Sequence, residues 1–161
     1  MNSIQCLSLT DLKTDAGIYL AKLDLYYQHF GQSLNKSPVV LINHSLTGDS
    51  NVAGQKGWWK ELVGPKKMID TNRYAILAFN IPGNGVKGQT FSNAYDFHTG
   101  DIALFFLKGL ELLGISKLYA LVGGSIGGGI AWEMAVIAPK LAKYIIPVAA
   151  DWKANDWIFC L

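Results

Sequence analysis

Two kinds of apolar pattern divide this chain into elements. Leu23, Leu25 and Tyr27 alternate with Asp24, Tyr26 and Gln28. That period of two marks a strand with one face in solvent, within residues 17–30. Residues 4–9 fit a short strand ahead of it. Pro38-Val39-Val40-Leu41-Ile42-Asn43 is apolar without alternation, as expected of a strand buried on both faces in a parallel sheet. Residues 73–80 read as the next strand and residues 143–150 as the last. Pro147 is awkward for a central position there, because proline donates no ladder hydrogen bond. Residues 54–64, with Trp58 and Trp59, fit a short helix, and residues 65–72 a loop. Asp101 suits the N-cap of a helix over residues 102–113, closed by Gly114. That helix is apolar on nearly all sides and is expected to be buried.

Strands come first and strand–helix units follow. The order predicts a mostly parallel α/β sheet with helices on both faces and right-handed crossovers. All 161 residues fit one domain. A composition 50% hydrophobic and 16% charged is that of a globular chain with a large core. The formal net charge of +2 argues against a nucleic-acid partner, and Lys66-Lys67 reads as part of a solvated loop. Residues 119–138 are about the length of a membrane span. Their glycines and internal turn make a buried strand–helix pair the better reading, so no membrane partner is expected. Asp11, Lys13 and Asp15 interrupt the N-terminus, so no signal peptide is visible. Cys6 and Cys160 form neither a disulfide framework nor a zinc spacing. A cytoplasmic setting and no metal are expected.

The chemistry concentrates where an apolar strand from Leu118 turns into a helical stretch closed by Pro139. Gly123, Ser125 and Gly127 match G-x-S-x-G, the nucleophile elbow in which a serine sits on a strained strand-to-helix turn. Ser125 is the candidate nucleophile. The flanking glycines leave room for a backbone bent that sharply. An ordinary serine in a glycine-rich packing turn is the competing reading. The elbow architecture takes its oxyanion donors from the N–H after the nucleophile and from the loop after the third strand. Those donors are Ile126 and Leu46, the latter within His44-Ser45-Leu46-Thr47-Gly48. The three histidines are His29, His44 and His98. None follows Ser125, although the elbow's triad runs serine, acid, histidine along the chain. His44 is expected to be a structural hydrogen-bonding residue and His98 to be solvated. Gly83-x-Gly85-x-x-Gly88 follows a strand but does not open a helix, which argues against a dinucleotide. The glycines of residues 123–129 lack the Lys-Ser/Thr of a phosphate-binding loop.

Taken together, these residues resemble the homoserine O-acetyltransferases. His44-Ser45-Leu46-Thr47-Gly48-Asp49 is similar to that family's H-A-L-T-G-D. Gly57-Trp58-Trp59, Gly64-Pro65, Ile69-Asp70-Thr71, Tyr74, the glycine loop from Asn80 to Thr90, and Leu113-Gly114-Ile115 follow in the family's order. The elbow Gly123-Gly124-Ser125-Ile126-Gly127-Gly128 resembles G-G-S-M-G-G. The likeness runs from about Leu25 to Trp157. It departs at residues 84–90, where the family usually reads G-G-C-x-G-S-T, and at Ile126, where it has Met.

The resemblance implies an α/β-hydrolase fold that moves acetyl from acetyl-CoA to the hydroxyl of homoserine through an acyl-serine, in methionine biosynthesis. Acetyl-CoA is then a substrate, and no bound cofactor is implied. Family members are much longer. They carry a helical lid, the triad acid and histidine, and a homodimer contact in the part that has no counterpart here. The chain is therefore expected to be a C-terminally truncated, inactive N-terminal portion with an apolar edge near Ile145 and Ile146. Two other readings stay open: a serine esterase on the same elbow, and a non-catalytic fragment that only binds or pairs.

Overall fold

The computed structural model describes residues 3–91 and 97–153; Trp157 and Cys160 lie outside them. Strands β1 (Gln5–Lys13) and β2 (Tyr19–Gly31) form an antiparallel hairpin with Leu7 opposite Leu25 and Leu9 opposite Leu23. The alternation holds from Leu23 to Tyr27, with Leu23, Leu25 and Tyr27 buried and Asp24 and Tyr26 only partly covered, but Gln28, expected on the solvent face, is buried and accepts from the Ser50 hydroxyl. Strand β3 (Val39–Asn43) is buried at every position. The two-residue strands β4 (Val63–Gly64) and β5 (Ile69–Asp70) form a small parallel pair of their own. Strand β6 (Ala75–Phe79) is again buried throughout. Helix α1 (Thr99–Leu112), strand β7 (Leu118–Gly124), helix α2 (Ile126–Ile137) and strand β8 (Ala142–Val148) follow.

The main sheet has the order β1-β2-β6-β3-β7-β8. Its ladders are antiparallel from β1 to β6 and parallel from β6 to β8. The unbroken apolar strings of β3 and β6 are explained by this order, since both strands are interior and covered on both faces. Strand β8 is one of the two edge strands of the described sheet, a position that tolerates Pro147. Its Tyr144, Ile146 and Val148 are exposed and Ile145 is partly covered.

One face of the sheet packs against both helices. Leu25, Leu41, Leu77, Phe79 and Leu121 meet Phe105, Phe106 and Leu110 of α1 and Ile130 and Met134 of α2. The other face carries Val40, Ile42, Ile76, Ala78 and Val122. Among the described residues it is covered by the turn-rich segment with Val52, Ala53, Trp58, Trp59 and Val63, rather than by a helix.

Four local expectations are corrected. Residues 54–64 form successive turns, in which the Lys60 and Leu62 N–H groups donate to Gly57 and Trp59 carbonyls three residues back. Ala53 before the segment and Val63 near its end are both drawn into the apolar cluster on the sheet, with Trp58 and Trp59 packed against it. The loop at residues 65–72 includes β5. Asp101 is not the N-cap. The cap is His98, and Asp101 sits three residues in. There its carboxylate accepts from the His98 N–H (2.9 Å) and from the Asp15 N–H (2.8 Å), serving the helix start from inside the first turn. Helix α1 is also less enclosed than its composition suggests, because Leu104 and Leu112 are exposed.

Candidate functional site

Ser125 lies between the last residue of β7 and the first of α2, with φ 54° and ψ −124°. A non-glycine residue in that region is strained and persists only when its surroundings hold it. The Ser125 N–H donates to the Val148 carbonyl of β8 (2.9 Å), and its own carbonyl accepts from Gly128 (2.8 Å) and Gly129 (3.2 Å). Ser125 as a residue is exposed.

The glycines have a steric reason. A Cβ on Gly127 would lie 2.5 Å from the His44 carbonyl oxygen, and one on Gly123 would lie 2.7 Å from the Gly128 nitrogen. The elbow is thus pressed onto the end of β3. Asn43 pairs with Gly123 in the parallel ladder, and Asn43 Nδ2 donates to the Gly127 carbonyl (3.3 Å). Ile126 opens α2, so its N–H has no acceptor within the helix. It points with the positive end of the helix dipole.

The loop after β3 therefore meets the elbow, and Leu46 lies on it. The Gly48 N–H closes a turn onto the Ser45 carbonyl (2.9 Å), and Leu46 within that turn is 70% exposed. His44 is fully buried. Its Nε2 accepts from the Ile81 N–H (2.9 Å), which fixes the proton on Nδ1; Nδ1 donates to the Ser45 carbonyl (2.6 Å). Burial pushes its pKa below the usual histidine value, against smaller opposing effects from the Ser45 carbonyl and Asp49. A neutral imidazole with both nitrogens engaged has no free site to take a proton from Ser125. His29 is in β2 opposite Leu77, with Nε2 2.5 Å from the Gln32 carbonyl oxygen. His98 is exposed at the start of α1. The structure thus sets the loop that carries Leu46 against the elbow at Gly127, and His44 on that loop has no nitrogen to spare. Gly83 and Gly85, both at positive φ, lead only into the single 3-10 turn Val86–Gly88.

Sequence reasoning passed over a buried polar group beside this loop: Gln28, Ser50 and Asn80, joined by hydrogen bonds. The signal was present, since Asn43 ends β3 and Asn80 directly follows the wholly apolar β6. It also passed over Trp59, whose indole lies 3.6 Å from where a Cβ on Gly124 would stand, next to Ser125.

A sheet of this order with a strained serine at a β7-to-α2 turn has a known counterpart. The profile of the alpha/beta hydrolase fold matches residues 38–159, and the chain belongs to that family. Within it, the sequence is similar to the homoserine O-acetyltransferase of Methanocorpusculum labreanum, at 36% identity over 158 residues. That match covers 86% of this chain and 32% of the relative. Its structure is similar to the homoserine O-acetyltransferase of Staphylococcus aureus (TM-score 0.84, 26% identity, 98% of this chain and 49% of that one). It is also similar to esterase E22 (TM-score 0.86, 26% identity, 98% and 50%). The chain spans about half the length of these solved structures and a third of the archaeal relative. Among the described residues, no helix is long and apolar enough to cross a membrane.

Proposed function

We propose that this chain carries the nucleophile and oxyanion hole of an O-acyltransferase that moves acetyl from acetyl-CoA to the hydroxyl of homoserine. The observation that carries the reading is the backbone of Ser125, strained at φ 54° on a turn whose glycines admit no side chain. Ser125 Oγ attacks the thioester carbonyl, and its proton passes to a base. The carbon–sulfur bond breaks, coenzyme A leaves as the thiol, and an acetyl-serine remains. The N–H groups of Leu46 and Ile126 hold the oxyanion that forms on the way. The homoserine hydroxyl then attacks the acetyl-serine, yielding O-acetylhomoserine and free Ser125. The resemblance assigns the base to a histidine that these 161 residues do not contain, which fits the engagement of both His44 nitrogens. A cytoplasmic enzyme of methionine biosynthesis is the setting that this reading implies.

The test is mass spectrometry of the chain incubated with acetyl-CoA. Slow acetylation of Ser125, at most stoichiometric and lost in Ser125→Ala, is expected, with discharge faster to homoserine than to water. Acetyl found only on other residues would sink the proposal. The likeness to esterase E22 favours one other reading, hydrolysis of an ester on the same serine. Discharge to water alone, indifferent to homoserine, would select it.

A further inference from the structure

We infer that Asn80 is a positioning residue for the Leu46 N–H, acting through the loop that carries it. The inference rests on the acyl-transfer reading of that loop. Residues 44–50 leave β3 and are fastened at both ends to consecutive residues at the exit of β6. At the first end, His44 accepts from the Ile81 N–H (2.9 Å). At the second, Ser50 and Asn80 exchange two hydrogen bonds. The Ser50 N–H donates to Asn80 Oδ1 (2.9 Å), and Asn80 Nδ2 donates to Ser50 Oγ (2.9 Å). The Ser50 hydroxyl donates onward to Gln28 Oε1 in β2 (2.8 Å), and Asn84 Nδ2 donates to Asn80 Oδ1 (3.2 Å). His44, Ser50, Asn80 and Gln28 are all buried.

An apolar pair in the same space would bury more surface without placing polar groups in the interior. What the amide adds is direction. Asn80 presents an acceptor and a donor to the same residue, so it sets where Ser50 sits along the exit of β6 as well as how close it comes. Leu46 stands between the two fastened ends with its side chain largely in solvent. The Ser45 carbonyl, in the same peptide plane as the Leu46 N–H, accepts from His44 Nδ1 and the Gly48 N–H, so the aim of that N–H follows where the two fastened ends hold this turn. An oxyanion donor is useful within about 2.7–3.1 Å of the developing charge, and a displacement of about 1 Å at such a site costs on the order of a hundredfold in rate.

The test uses the full chain and Asn80→Leu, which keeps the volume and removes both hydrogen-bonding groups. Three quantities are read: the amide resonances of Leu46 and Ile126, the rate of Ser125 acetylation by p-nitrophenyl acetate, and the denaturant midpoint. The expected result is a displaced Leu46 resonance, an unmoved Ile126 resonance and acetylation slower by about a hundredfold. A variant that loses stability yet keeps the Leu46 resonance and the acetylation rate would make Asn80 merely structural and overturn the inference. Should Asn80→Leu fail to fold, Ser50→Ala removes one of the two exchanged bonds and is expected to displace Leu46 in the same direction by less; an unmoved Leu46 there also overturns it. If wild-type Ser125 takes up no acetyl, the acyl-transfer reading falls, and the Leu46 resonance still decides whether Asn80 holds the loop.

Discussion

Gly123 and Gly127 meet backbone to backbone across the serine turn: a Cβ on Gly123 would overlap the Gly127 carbonyl group. The two positions flank Ser125 symmetrically: a methyl group on Gly123 would push β7 away from α2, and one on Gly127 would push α2 away from the end of β3. Gly123→Ala is expected to destabilise the fold by about 1–3 kcal/mol, as overpacking of a closed site does. Equilibrium denaturation measures it. A loss below about 0.5 kcal/mol, the range of an ordinary surface change, would mean that the turn is not held as tightly as the distances require.

Ser125 itself is a second source of strain. Its φ of 54° with ψ of −124° suits glycine and penalises any residue with a Cβ. Ser125→Gly is therefore expected to be more stable than Ser125→Ala by about 1 kcal/mol, although both lack the hydroxyl. Denaturant midpoints of the two variants give the comparison. Equal midpoints would place the strain elsewhere.

His44 predicts a dependence on pH. Burial holds its folded pKa below that of the unfolded chain, about 6.5. The unfolded state then binds more protons in the interval between the two values, so stability rises with pH across it. The contribution is complete above about pH 6.5 and is lost as pH falls toward the folded value. Protonation also removes the acceptor of the Ile81 N–H. Unfolding measured from pH 7.5 down to 5 should show this loss, and His44→Gln should show a shallower slope over the same interval. An equal slope in the variant would assign the dependence to other groups.

Gly109 tests the packing of α1. A Cβ there would stand 2.7 Å from Leu25 Cδ2 and 2.9 Å from Phe79 Cε1, and both side chains are fully buried. Alanine in a helix interior is ordinarily worth about 1 kcal/mol over glycine. Here the crowding is expected to outweigh that gain, leaving Gly109→Ala less stable by about 1 kcal/mol net. A variant more stable than the parent would show that the core around Phe79 has room to yield.

The parts of the fold legible in the sequence are those with one dominant cause. Unbroken apolar strings announced β3 and β6, because burial on both faces leaves no polar position. The spacing of Gly123, Ser125 and Gly127 announced the strand-to-helix turn, because only glycine clears the backbone contacts found there. What was missed depends on partners distant in sequence. Asp101 looked like a cap because its carboxylate serves a helix start, yet the acceptor works from the third position and also reaches Asp15. The segment with Trp58 and Trp59 forms turns packed against the apolar cluster on the sheet, a contact that no local pattern carries. Asn80 read as a strand terminus; its purpose lies in Ser50, thirty residues earlier.

The strand order bears on how the chain is made. Strand β3 bonds only to β6 and β7, both later in the chain. As the polypeptide leaves the ribosome, Val39-Val40-Leu41-Ile42 has no ladder partner until residue 75 has been added, and its second edge waits for residue 120. This strand, buried at every position, thus waits longest for both of its ladder partners. Pairing across such separations is slow, and an apolar edge left open meanwhile invites association with other nascent chains. The topology that sets the loop after β3 against the serine turn thus also delays the closing of the sheet.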